Sequence, residues 1–324
     1  MQLMPFFRLI RPLNLLMILF TQYMVRYALL YPIFKALAGI GLQLHETIFA
    51  LLSFAFVLMA AGGYIINDYY DVKIDTVNKP DKVIIGRQLK PVNALTLYWI
   101  LSIVGLASGC WASYKMGLPA LSAVFFIYFV GLWFYSYKLK YIFFAGNFIV
   151  AFFIALVPFV SGIVELFAFT EHFQLHDSDW VPKVFVIVCV VSIFAFLATL
   201  VREIVKDMED IEGDVTQGCR TLPVVMGITG AKRVAQFFLL IVIFLSGFVE
   251  YWFCTGISSG FFTLRFLLPI LYISCLIQVP SFWIIIRLNM ASLSKHFHKV
   301  SNWLKILMLT GISYLFVFAY LCLR

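Results

Sequence analysis

Apolar positions in this chain do not alternate with polar ones. They run on for about twenty residues at a time, the length that crosses a ~30 Å hydrocarbon core as a helix. Short polar segments separate the runs. The pattern predicts nine spans, at about 13–35, 47–67, 93–115, 118–137, 144–165, 182–204, 233–253, 264–287 and 303–323. A membrane β-barrel would show short alternating strands instead. Several spans contain Pro or Gly, which membrane helices tolerate. The first run follows Arg8 and Arg11 as a signal peptide would, but it continues without a small-residue cleavage site and reads as an uncleaved span. The expected fold is all-α: a polytopic membrane helical bundle, with residues 1–324 forming one domain.

Composition agrees. Of 324 residues 63% are hydrophobic, against roughly 45–50% in soluble domains. The net charge of +8 raises the question of nucleic acid. The basic residues, however, lie in loops. With the N-terminus inside, eighteen of the 24 Lys and Arg fall on the cytosolic side, which predicts an extracytosolic C-terminus. The six cysteines form no C-x-x-C pair, so neither a disulfide framework nor a zinc site is indicated.

Two stretches break the apolar character. INDYYDVKIDTVNKPDK (66–82) follows the second span, and REIVKDMEDIEGD (202–214) follows the sixth. Asp68, Asp71 and Asp75 share the spacing D-x-x-D-x-x-x-D with Asp207, Asp210 and Asp214. Four spans separate the stretches, so both fall on one membrane face. Read as helix ends, Asn67, Asp71 and Asp75 occupy an arc of about 80°, and Glu203, Asp207, Asp210 and Asp214 one of about 60°. Glu209 and Glu212 point elsewhere. Carboxylates stacked this closely repel, and a divalent cation offsets the repulsion. Mg²⁺ suits a site of few carboxylates, because it completes its shell with water and substrate phosphate. An EF-hand is excluded, since neither stretch has its Gly or its terminal Glu.

Lys73, Lys79, Lys82, Arg87, Lys138, Lys140, Lys206 and Arg220 crowd the same face. Carboxylates for metal beside Lys and Arg for anionic oxygens suit a diphosphate, and a membrane setting suits one with an apolar tail. Some of the 35 Phe could line a tunnel for that tail. A secondary transporter is the rival class, but its ionisable residues would lie near the midplane. Arg26 reads as the one clearly intramembrane charge, free to snorkel. HDSD (176–179), with Glu171 and His172, reads as a hydrated extracytosolic loop. His296 and His298 read as part of an interfacial basic loop able to touch anionic lipid.

NDYYDVKID (67–75), KDMEDIEGD (206–214) with GCRTLPVVMG (218–227), RPLN (11–14) and YSYKLKYIFFAGN (135–147) together resemble the motifs of UbiA-type intramembrane prenyltransferases, in the same order. The resemblance implies a central cavity capped by the two acidic stretches. It implies that Asn67, Asp68, Asp71 and Asp75 hold one Mg²⁺–diphosphate, and that Asp207, Asp210 and Asp214 hold a second metal. Asp71, Asp75, Asp210 and Asp214 would be catalytic. Lys138, Lys140, Lys206 and Arg220 would clamp phosphate, and Asn14 would line the cavity. The reaction implied is ionisation of a polyprenyl diphosphate, followed by capture of the cation by a lipophilic acceptor. REIVKDMEDIEGD is most similar to the branch that prenylates a glycerol-phosphate lipid with a geranylgeranyl group. Branches with an aromatic or quinone-precursor acceptor share much of the motif. One departure is the loop NKPDKVIIGRQ, where Lys82 stands in place of the usual Arg and a Pro–Ser pair is missing.

Overall fold

A computed structural model describes residues 3–173, 179–255 and 264–323. Apart from an isolated bridge between Ile85 and Leu89, the regular structure among them is helical. The helices are α1 (Leu3–Ile10), α2 (Pro12–Ala38), α3 (Glu46–Asn78), α4 (Pro91–Lys115), α5 (Pro119–Tyr137), α6 (Ala145–Phe173), α7 (Trp180–Glu209), α8 (Ile211–Thr216), α9 (Leu222–Tyr251), α10 (Leu267–Met290) and α11 (Ser294–Leu323). Among the described residues, nine of these are long and apolar enough to cross a membrane. The protein is an integral membrane protein.

Local sequence sets the ends. Proline opens α2, α4 and α5, where its missing N–H costs no intrahelical bond. His45 caps α3 by accepting a hydrogen bond from the Thr47 backbone N–H. Within α2 the coil widens over Val25–Leu30, just before Pro32, which has no N–H to continue the ladder.

Small residues bring the helices together, as expected where lipid removes the hydrophobic drive between them. On α3 and α4, Gly62 abuts Ser102, and Gly105 lies against Met59 and the Ala55 carbonyl. Gly109 sits beneath the Phe125 ring of α5. The outward faces remain apolar. On α9, Phe237, Leu240, Phe244 and Phe248 are exposed at helical spacing, while Ala231, Ala235, Leu239 and Val242 on the other side are buried. The exposed stripe is the lipid face.

Helices α3 and α7 continue past the apolar spans, which end near 67 and 204, to Asn78 and Glu209, so the polar stretches prolong the helices as their reading as helix ends expects. One expectation is corrected. Arg26 does not snorkel. It is buried 3.0 Å from Glu165 of α6 and 3.2 Å from Glu46, and it donates to the Leu44 carbonyl at 2.7 Å. Glu165 is itself fully buried and is a second intramembrane charge. Removing one partner of such a pair strands the other. Glu165→Leu is expected to destabilise the fold by about 3 kcal/mol. The double variant Arg26→Met/Glu165→Leu should recover most of that loss. Thermal unfolding of the purified protein in detergent checks both.

The loop between α3 and α4 makes a tight turn at Gly86, at φ 87°, which a side chain rarely adopts. Ile85 and Leu89 tuck against Leu9, Ile65 and Tyr98. Arg87 bonds the Pro80 carbonyl of its own loop at 2.8 Å. The side chain of Lys82 and residues 176–178 of the HDSD stretch lie outside the described part of the molecule.

Candidate active site

Both acidic stretches arrive on one face of the bundle, and they touch. The Asn78 side chain, at the end of α3, donates to the Asp210 carbonyl at 2.9 Å. It also accepts from the Gly213 N–H at 2.8 Å. Gly213 has to be glycine for this approach, since a Cβ there would collide with the Asn78 amide. Lys79 reaches across the same seam to Asp210 at 2.6 Å and Glu209 at 3.2 Å. Burial works to lower the Lys79 ammonium pKa, but the two carboxylates together raise it.

The seam closes one side of a small polar pocket of about 90 Å³. Asn67, Asp71 and Asp75 line it from α3, and Asp207, Asp210 and Asp214 line it from α7 and α8. The two acidic stretches therefore face each other, as their matched spacing predicts. The second stretch is not one helix, however. The backbone bends at Asp210 (φ −100°, ψ 10°) and restarts as α8, so Asp214 reaches the pocket through a bend and not along a straight helix face. Glu209 points away, bonded to Lys79 and to His298 at 3.0 Å. His298 thus packs at the seam, where the sequence suggests only an interfacial loop.

Asp71, Asp207 and Asp214 each have a neighbour that orients them. Asn67 donates to Asp71 at 2.8 Å, and Lys140 is 2.6 Å from the other Asp71 oxygen. Tyr141 donates to that oxygen at 3.5 Å. Asn147 donates to Asp207 at 2.7 Å and Thr221 to Asp214 at 2.9 Å. Burial lowers the Lys140 pKa, with Asp71 opposing the change. Burial raises Asp214 to about 6 against the Thr221 hydrogen bond, with Asp210 and Asp71 adding to the rise. This value lies above the ordinary carboxylate range of roughly 4. The folded state therefore favours protonated Asp214, and that contribution is lost as pH rises through about 6. Burial and the neighbouring Asp71 raise Asp75 to about 6 as well, so in the absence of divalent cation the melting temperature should fall between pH 4 and 7, and Asp214→Asn should reduce the slope without abolishing it.

The donors are hard oxygen atoms of carboxylate and amide, which suit Mg²⁺. Among the described residues, no three His, Cys, Asp or Glu side chains converge tightly enough to hold a metal unaided. This fits an ion that takes only one or two carboxylates from the protein and its remaining ligands from phosphate and water.

The polar pocket adjoins a much larger cavity of about 540 Å³, and Asn67, Tyr135, Glu203 and Lys206 line both. The large cavity carries Asn14 and Arg11 near this junction and then becomes apolar, with Phe153, Pro158, Val190, Phe194 and Phe318 among its walls. Arg11 also lies 5.0 Å from the Tyr64 ring centre.

Three expected site residues line neither space. Asp68 points sideways from Asp71 on α3 and pairs with Arg11 at 2.5 Å. Lys138 stands exposed where α5 ends, because the short turn Leu139–Tyr141 carries Lys140 inward in its place. Arg220 bonds the Tyr141 carbonyl through its backbone N–H at 2.9 Å and leaves its side chain exposed. Conversely, Asn78, Lys79, Tyr141, Asn147 and Thr221 take part in ways their spacing does not reveal. Asn147 has the clearest sequence signal, as an amide just inside an apolar span.

Comparison with known proteins is consistent with this architecture. The UbiA prenyltransferase family model matches residues 28–309. The chain is similar to a digeranylgeranylglyceryl phosphate synthase from Sulfurisphaera tokodaii, 32% identical over 74% of this chain and 75% of that protein. It is 30% identical to one from Methanosphaera stadtmanae over 94% of this chain and 95% of that protein. Among solved structures, one of digeranylgeranylglyceryl phosphate synthase superposes with a TM-score of 0.60 at 23% identity, covering 97% of this chain and 98% of that one. A UbiA homologue from Archaeoglobus fulgidus bound to GPP and Mg²⁺ gives a TM-score of 0.53 at 16% identity, covering 96% and 99%. The shared helical bundle, and a family match running from the first span into the last, lead to one conclusion: this chain belongs to the UbiA prenyltransferase family.

Proposed function

We propose that this prenyltransferase moves a geranylgeranyl group from its diphosphate to a hydroxyl of a glycerol-phosphate lipid, with Mg²⁺ as cofactor. The observation that carries the reading is the junction of the two spaces. An acidic pocket of about 90 Å³ opens onto a mainly apolar cavity of about 540 Å³, which suits a molecule with a charged head and a long hydrocarbon tail. Relatives that are digeranylgeranylglyceryl phosphate synthases support the choice of donor and acceptor. The whole chain works as one catalytic domain, because residues from Arg11 to Phe318 line the same cavity.

In this reading Asp71 and Asp75, helped by Asn67, would hold one Mg²⁺, and one or two carboxylates of the set Asp207, Asp210 and Asp214 would hold another. Held there, Mg²⁺ would supply charge neutralisation to the diphosphate oxygens. Lys140, beside Asp71, and Lys206, at the junction, contact phosphate oxygens directly. The bond between the allylic carbon and the diphosphate oxygen breaks, and the electron pair leaves with the diphosphate. Tyr64, Tyr128 and Tyr135 line the cavity and can face the allylic cation. The acceptor hydroxyl oxygen bonds to that carbon, and the released diphosphate takes up its proton. Fixed charges aimed at the departing group supply the catalysis. The acidic face lies in the cytosol, as the loop distribution of Lys and Arg supports, with the C-terminus across the membrane.

The test is incubation of membranes holding the protein with Mg²⁺, labelled geranylgeranyl diphosphate and either geranylgeranylglyceryl phosphate or a panel of aromatic acids. The expected product is the doubly prenylated glyceryl phosphate. A prenylated ring would move the acceptor to a quinone precursor. Accumulation of substrate without chemical change would overturn the reading.

A further inference from the structure

The large cavity holds more positive charge than its own walls answer. Its charged lining residues are Arg11, Arg202, Lys206, Lys305 and Glu203, four cations and one carboxylate. Asp68 pairs with Arg11. Glu203 is shared, accepting from Arg202 at 2.7 Å and from Lys206 at 3.0 Å. Lys305, half-buried on α11, makes no hydrogen bond or ion pair among the described residues. The charges that act on it are Arg202, Lys206 and Arg11, with Glu209 the opposing one. The Arg202 guanidinium in turn has its Nε buried without a partner.

Cations converging on an apolar cavity repel one another with little screening, so the arrangement favours an anion between them. The acidic pocket is not where that anion belongs. Neither Arg202 nor Lys305 lines it, and its carboxylates would repel a phosphate that brings no metal. The shared Glu203–Lys206 pair divides the two spaces.

We infer that Arg202 and Lys305 form a second anion site, which binds the phosphate monoester of the acceptor lipid. This rests on the function proposed above and names the residues that recognise its acceptor. The Arg202 guanidinium, anchored on Glu203 and lining the cavity, carries N–H donors for phosphate oxygens, and Lys305 adds a compact charge from the facing helix. The acceptor's chain then shares the apolar cavity with the donor's tail, and its head stays apart from the metal-bound diphosphate. A phosphate monoester carries nearly two charges near neutral pH, which suits a surplus of cations better than a singly charged diester does.

The test uses the full-length protein in nanodiscs of neutral lipid, without Mg²⁺ and without prenyl diphosphate. Binding of geranylgeranylglyceryl phosphate is compared with binding of the same lipid lacking its phosphate. Wild type should bind the phosphate form at least about tenfold more tightly, a difference of about 1.4 kcal/mol. Arg202→Gln and Lys305→Gln should each erase most of that difference, and Lys305→Arg should keep it. In turnover assays the two Gln variants should raise KM for the acceptor about tenfold or more and leave KM for the prenyl diphosphate unchanged. Equal binding of both lipids by wild type would overturn the site, as would Gln variants that bind like wild type while folded. Displacement by millimolar inorganic phosphate, or by phosphatidylglycerol added to the discs, would show a general anion site and overturn the acceptor assignment. Should wild type form no glyceryl ether yet bind the phosphate lipid through Arg202 and Lys305, the proposed reaction falls and the anion site stands. Should it form the ether while the Gln variants change only the prenyl diphosphate KM, the reverse holds.

Discussion

Asp71→Asn and Asp210→Asn should each lower kcat by about 10²–10³-fold or more at saturating Mg²⁺, the scale set by removing one preorganised charge contact from a reacting oxyanion. Both changes keep the side-chain size and remove one charge. Asp71 stands between Asn67 and Lys140, and Asp210 is held by Lys79 across the seam. The two residues come from different stretches, so a similar loss at each would show that both acidic clusters act on the same diphosphate. Asp71→Asn also weakens the ion pair of the buried Lys140, and Asp210→Asn leaves Lys79 with Glu209 alone, so a thermal melt must accompany the rate to separate damage to the fold from loss of metal. Binding of a non-reacting thio-analogue of the prenyl diphosphate, titrated with Mg²⁺, gives a second readout that does not depend on turnover. If either variant retained wild-type kcat and Mg²⁺ dependence, that carboxylate would have no place in the site.

The second large effect is expected away from the metal. Asn78→Ala should reduce kcat about 10- to 100-fold with the carboxylates intact. The Asn78 amide joins α3 to the bend at Asp210 by two hydrogen bonds, at 2.9 and 2.8 Å. Without it, the Gly213 N–H loses its partner at the seam, a cost of about 1–3 kcal/mol if it is left dry, while the Asp210 carbonyl keeps the Asp214 N–H at 3.2 Å. More important for rate, the second acidic stretch is free to move relative to the first, and a misplacement of about 1 Å can cost 10²-fold in a positioned reaction. Gly213→Ala attacks the same contact from the other side, because its Cβ would push against the Asn78 amide. The two variants should resemble one another, and the double variant should be little worse than either, since they break a single link. A full wild-type rate in Gly213→Ala would mean that the seam bears no positional demand.

The spans were legible because a membrane leaves a helix few options. Every backbone group must be satisfied internally, so a long apolar run is a helix wherever it occurs. The ends were less legible. Hydropathy stops at the first charged residue, while the hydrogen-bond ladder of α3 continues through Asp68, Asp71 and Asp75 to Asn78. Arg26 shows the same limit. Its sequence neighbours say that it is intramembrane, but only the packing of α6 against α2 shows that Glu165 waits for it.

At the site, residue spacing identified which carboxylates could share a face, because that follows from helical periodicity alone. Asp71, Asp75, Asp207, Asp210 and Asp214 duly line one pocket. Spacing could not separate Asp68 from them, since its direction is decided by Arg11 from another helix. Nor could it choose Lys140 over Lys138, two positions apart on a turn whose backbone sends one inward. The sequence by itself determined a membrane bundle with two matched acidic stretches on one face, because hydrophobic run length and helical period are local properties. Only the tertiary structure decided which charges meet, through Asn78, Lys79 and Asn147, because the energy of a charge in this setting depends on partners brought from distant parts of the chain.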